Sequence, residues 1–102
     1  EVVVKDIKYL KKNKVFLLFL KRNKIETENE SKKINSICKF DFVDRVKSKN
    51  IKQEYVDQKL KLITIDYLKN NDNYEISLIF TNNAYITLST EIIEVTLDDQ
   101  NN

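Results

Sequence analysis

The sequence predicts a mainly β, α+β fold: a bent antiparallel sheet or partly open barrel of about five to seven strands with a short C-terminal helix. Three observations predict it. Runs rich in β-branched, aromatic and leucine residues follow one another at short intervals, Asn- and Lys-rich punctuation separates them, and two of the runs change hydrophobic phase midway. At 102 residues, without an internal repeat or low-complexity linker, the chain is expected to form a single domain over residues 1–102.

The punctuation has an unusual chemistry, because the sequence contains no Gly and no Pro. Turns must then be built on Asn and Asp, the next most tolerant residues for left-handed backbone. The breaks fall at Lys11–Lys14, Thr27–Lys33, Asn70–Asn73 and Asn82–Asn83.

Taken in order, EVVVKDIKYL and VFLLFLKRNKIE read as a hairpin. VFLLFL is apolar on both faces and belongs in the centre of a sheet. INSICKFDFVDRVKSKNI places Cys38 and Phe40 on one face and then shifts to Val43 and Val46, a pattern that a β-bulge explains. In KLKLITIDYL the apolar set moves from Leu60 and Leu62 to Ile63, Ile65 and Tyr67, which predicts a second bulge or a bend at a barrel corner. Ile76, Leu78 and Phe80, then Ile86 and Leu88, alternate with polar residues around Asn82–Asn83, the pattern of a tight hairpin. The tail TEIIEVTLDDQ carries both periods: Ile93 and Leu97 are helix-spaced, while Ile93, Val95 and Leu97 alternate as a strand does. We assign it as a short helix over residues 90–99.

The stretches DIKYL, VFLLFLKR, FDFVDRVKSKNI, LKLITIDY, EISLIFTNNAYITL and EIIEVTLDD, in this order and spacing, resemble a bacterial family known only as domain of unknown function 2948. The resemblance covers nearly the whole chain. Where that family is glycine-rich before the last strand, this chain has Thr81, Asn82 and Asn83, and the family's upstream N-terminal segment has no counterpart here. The resemblance supports the architecture and implies no activity or ligand. By analogy of pattern alone, the strand order with a helical C-terminus looks like a pleckstrin-homology-like barrel.

Elimination narrows the chemistry. With no His there is no Ser-His or Cys-His pair and no side chain that ordinarily exchanges a proton near neutral pH. Cys38, in phase with Phe40, reads as a small core residue. One Cys and no His leave zinc without its usual ligands, and the absence of Gly excludes the phosphate-cradling loops of nucleotide cofactors. Glu91, Glu94 and Asp98 would share one face of a helical tail, which reads first as a solvated acidic surface and second as an oxygen-ligand site. Asp41 and Asp44 offer paired carboxylates, yet nothing in the sequence positions a substrate beside them. The expectation is a non-enzymatic module without a cofactor.

Charge is distributed unevenly. Residues 1–61 hold 17 of the 18 Lys and Arg against 9 acids, whereas residues 62–102 hold 1 base against 7 acids. The candidate basic surface comprises Lys11, Lys12 and Lys14 in the first turn, extended by Lys21, Arg22 and Lys24, together with Arg45, Lys47, Lys49 and Lys52 further along. Tyr9, Tyr55 and Tyr85 are candidates for stacking bases beside them. Two functions follow as expectations: a protein-interaction or ligand-binding module that takes a peptide or protein partner along a sheet edge or in a cleft beside the tail, and, as the alternative, binding of nucleic acid or an anionic surface through the basic turns. The longest apolar run, Val15–Leu20, is too short to span a bilayer, so no transmembrane segment is expected. A single cysteine fits a reducing, cytoplasmic setting, and a chain that opens at Glu1 without Met reads as processed or trimmed.

Overall fold

A computed structural model describes residues 1–27, 29–57 and 59–100, without the side chains of residues 24–26 and 31. Among the described residues eight strands form: β1 (Val2–Leu10), β2 (Val15–Thr27), β3 (Glu30–Phe40), β4 (Val43–Lys49), β5 (Leu62–Asn70), β6 (Asn73–Phe80), β7 (Tyr85–Thr90) and β8 (Val95–Gln100). They make two antiparallel four-stranded sheets, one in the order β1-β2-β3-β8 and the other β4-β7-β6-β5. The sheets do not close into a barrel: β1 meets β5 at an isolated antiparallel bridge, Val3 opposite Lys61.

The two sheets share one apolar core. Val4, Leu18, Phe40, Leu60, Leu78 and Leu88 are among its fully buried members. Phe16 and Phe40, cross-strand partners on β2 and β3, meet edge to face with ring centroids 6.0 Å apart. β2 lies inside its sheet, as its two-faced apolar pattern predicts. Its outward residues Val15, Leu17 and Phe19 are half-buried, with the Lys8 ammonium 5.6 Å from the Phe19 ring.

The turns follow from the glycine-free composition. Asn82 (φ 65°) and Asn83 (φ 56°) are both left-handed, and the Ala84 N–H donates to Thr81 O at 3.3 Å, giving the type I′ turn that suits the twist of a two-residue hairpin. Asn50, Asn71 and Asp57 also take positive φ. So do two residues less suited to it, Lys14 at 57° and Phe42 at 60°.

Phe42 marks a correction. The phase shift inside INSICKFDFVDRVKSKNI is read from sequence as a bulge in one strand, but the chain leaves β3 at Phe40, turns through Asp41 and Phe42, and enters the other sheet as β4. The bulge expected in this run is present at the start of β4, as a register shift between Val43 and Arg45 that sets Val43 and Val46 on one face, opposite Thr90 and Leu88. The slip in KLKLITIDYL is a bulge, placed between Leu62 and Thr64. Eight strands thus stand where about five to seven are expected.

The C-terminal helix predicted over residues 90–99 does not form. Ile92, Ile93, Val95 and Thr96 are β-branched and lose side-chain freedom in a helix, while β3 presents a free edge that pairs with the tail from Phe40 opposite Val95 to Asn35 opposite Gln100. The element that likened the chain to a pleckstrin-homology-like barrel is therefore a strand. The acidic face expected of that helix is lost with it: Glu91 and Glu94 precede β8, and Asp98 faces outward opposite Ile37.

The β4–β5 connection seals the side of the sandwich beside β1. Val4 donates to Leu60 O at 2.8 Å and accepts from the Asp57 N–H at 2.7 Å, and Lys5 pairs with the Asp57 carboxylate. Leu60 is thereby held in the core.

Candidate docking surface

The sandwich has four edges, and three of them carry features that discourage further strand pairing. β1 has a bulge between Val4 and Asp6, exposed Asp6 and Lys8, and the docked β4–β5 connection. β4 has its own bulge and presents Arg45, Lys47 and Lys49. β8 exposes Val95 (44%) and Leu97 (55%), but it is six residues long and turns a charge inward, Asp99. β5 is different. It is nine residues long, its bulge lies at the very start, and from Ile63 onward every residue is exposed.

Four of those eight exposed residues are apolar, Ile63 (63%), Ile65 (45%), Tyr67 (65%) and Leu68 (53%), and they stand beside Thr64, Asp66, Lys69 and Asn70. Ile65 stands opposite Leu78, and Tyr67 opposite Ile76. Directly opposed residues of an antiparallel pair share a face, so Ile65 and Tyr67 extend the interior face of the sheet past its covered part. The Val3–Lys61 bridge is antiparallel, so β5 runs on past the start of β1 with its outer edge unpaired by any named strand, although the Tyr67 N–H donates to Asp66 Oδ1 at 2.9 Å.

The basic residues singled out in sequence do not form one surface. Lys11, Lys12 and Lys14 are exposed in and after a 3₁₀ turn, Lys11–Asn13. Lys14 is already engaged: its ammonium lies 3.0 Å from the Asp44 carboxylate, which raises its pKa above the ordinary lysine value. Its carbonyl accepts from the Val43 N–H at 2.8 Å, so the first turn abuts the start of β4. Arg45, Lys47 and Lys49 line the outer face of β4 at intervals of about 7 Å, opposite Ser89, Thr87 and Tyr85, with no ion pair among the described residues. Lys21 and Arg22 sit at the opposite end of the β1–β2 hairpin from Lys14, and Arg22 is committed to Asp99. The side chain of Lys24 lies outside the described residues.

Of the three tyrosines, Tyr9 is half-buried and donates its hydroxyl to Val43 O at 2.9 Å. Tyr55 packs against the core under the Lys52 ammonium, 5.4 Å from its ring. Tyr85 is the exposed one, beside Lys49 at an open depression of about 460 Å³ that Ile63, Ile79 and Asn83 also line. A second depression, of about 390 Å³, lies among polar groups including Asp44, Arg45, Asp72 and Glu75. Cys38 is buried, and burial pushes its thiol up to about 11. Among the described residues, no group of three or more His, Cys, Asp or Glu is placed to hold a metal ion, and no helix is long and apolar enough to cross a membrane.

Reasoning from sequence missed the β5 edge. The signal was present, since LITIDYL is apolar on both faces, but the same pattern in VFLLFL marks a strand inside its sheet.

The fold and this edge define a small antiparallel β-sandwich with a long, uncovered and partly apolar edge strand, β5. The chain belongs to the family described as protein of unknown function (DUF2948), whose model matches residues 1–102. Comparison with curated proteins and with solved structures found no match.

Proposed function

We propose that this protein is a non-enzymatic interaction module that receives an extended segment of a protein partner along β5. The observation that carries the reading is the length of apolar exposure on an uncovered edge: β1 is covered by a loop, β4 is basic, β8 is six residues long with Val95 and Leu97 exposed, and β5, nine residues long, exposes Ile63, Ile65, Tyr67 and Leu68 beside Asp66 and Lys69. A strand added there gains main-chain hydrogen bonds along the edge, taking the Tyr67 N–H over from the Asp66 carboxylate, and apolar contact with Ile65 and Tyr67. A buried free thiol supports a reducing, cytoplasmic setting.

The test places a photo-crosslinking amino acid at Leu68 or, in a separate protein, at Lys47 of β4, in native lysate. A discrete partner captured from Leu68 but not from Lys47, and released by excess unlabelled protein, is the expected result. Capture at equal yield from both positions, or from neither, overturns the reading.

A second reading rests on Arg45, Lys47 and Lys49, which share one exposed face beside Tyr85 and have no acidic partner among the described residues. Three cations at two-residue spacing suit a chain of phosphates, as in a single-stranded nucleic acid. Binding of a single-stranded oligonucleotide that weakens steeply with salt and disappears on changing all three to Ser supports it. The same binding in the triple variant removes it.

A further inference from the structure

The chemistry around β5 says what kind of segment it takes. The β5–β6 hairpin is acidic in a protein whose net charge is +2: residues 62–80 contain Asp66, Asp72 and Glu75 against Lys69 alone. The acids are not scattered. Asp66 and Glu75 both project from the outer face, Asp66 opposite Ser77 and Glu75 opposite Leu68, while Lys69 falls on the other face, opposite Tyr74. Neither Asp66 nor Glu75 has an ion pair among the described residues; Asp66 Oδ1 accepts the Tyr67 N–H at 2.9 Å and the carboxylate keeps its charge for a cation.

A strand added to β5 alternates its side chains between these two faces. Those on the inner face meet Ile65 and Tyr67 at the margin of a core that already contains Leu78 and Ile76. Those on the outer face meet Asp66, with Glu75 one strand further in. We infer that the partner segment of the β5 edge is an extended peptide with alternating apolar and cationic residues, its cation seated opposite Asp66. This rests on the reading of β5 as a docking edge and adds to it the sign of the charge that is recognised. The basic edge of β4 works in the same direction, since it repels such a segment from the wrong strand.

The experiment uses two synthetic ten-residue peptides that differ only in charge, one alternating valine with lysine and the other valine with glutamate. Binding to the intact protein is followed by fluorescence anisotropy. The lysine peptide is expected to bind about tenfold more tightly than the glutamate peptide at low salt, with the preference shrinking as salt rises. Asp66→Lys is expected to reverse the preference, and Tyr67→Lys to weaken the lysine peptide. Equal binding of the two peptides, with both weakened by Tyr67→Lys, overturns the inference on charge and leaves the docking edge standing. A preference for lysine that Asp66→Lys does not change also overturns it. Failure of both peptides to bind overturns the inference and the docking edge together.

Discussion

Arg22 on β2 grips both carboxylate oxygens of Asp99 on β8, at 2.8 and 2.7 Å, although β3 lies between their strands. Ser36 of β3 completes the bridge by accepting from Arg22 Nε at 3.1 Å and donating to Asp99 Oδ1 at 2.7 Å. Ser36 is buried on the interior face, so an inward charge on β8 is neutralised and hydrogen-bonded where it would otherwise be costly. The bridge also fixes β8, since a slip of one residue would turn Asp99 outward and Asp98 inward.

Removing one partner should therefore cost more than removing both. Arg22 and Asp99 are each about one-third exposed or less, so the loss is smaller than for a fully buried pair. Asp99→Ala is expected to lower the unfolding free energy by about 1–3 kcal/mol. Urea denaturation of Arg22→Met, Asp99→Ala and the double variant should give a coupling energy of about 1 kcal/mol or more. Additive single effects would show that the bridge contributes nothing.

The β6–β7 turn predicts opposite signs for two substitutions at one position. Asn83 holds φ at 56°, which Gly adopts without a Cβ clash and Val strongly disfavours. Asn83→Gly should raise stability by about 0.5 kcal/mol and Asn83→Val lower it by about 1–2 kcal/mol, read from thermal or urea midpoints. Stabilisation by Val would contradict the turn assignment.

Cys38 gives a prediction in pH. Its thiol is raised from 9.0 to about 11 by burial, so the unfolded chain loses this proton at lower pH than the folded one. The contribution is fully present below the unfolded value and is lost as pH rises through about 11, so stability should fall across that window. The diagnostic is the difference from Cys38→Ala, whose decline should be shallower. At pH 7 the folded protein should react slowly with thiol reagents and quickly once unfolded.

The β5 edge predicts a change in behaviour with little change in stability. Tyr67 and Ile63 are 65% and 63% exposed, so Tyr67→Lys and Ile63→Lys should shift the unfolding free energy by no more than about 0.5 kcal/mol. Solubility at high concentration should rise, because a cation on an apolar edge blocks non-specific strand pairing. A large destabilisation would mean that these side chains are structural.

Much of this fold was legible in the residues, for reasons that also explain the misses. Asn82–Asn83 between two alternating runs has one natural solution, and the KLKLITIDYL phase slip did mark a bulge. The spacing from Val43 to Val46 does mark a bulge, but a phase shift alone does not reveal the change of sheet at Asp41 and Phe42 that precedes it. The tail carried both periods, and the choice between them was made by a distant partner, the free edge of β3. The surface was harder. LITIDYL and VFLLFL have the same two-faced apolar pattern, and only the sheet order places one at an edge and the other inside. Lys14 and Arg22 looked like free basic residues because their partners, Asp44 and Asp99, are remote in sequence.

The most direct test follows amide hydrogen exchange, residue by residue, with and without the alternating valine–lysine peptide. Added protection concentrated on β5, between Ile63 and Asn70, with β4 and β8 unchanged, is the result predicted for a strand docking on that edge. Protection that appears on β4 or β8 while β5 exchanges as before would contradict it.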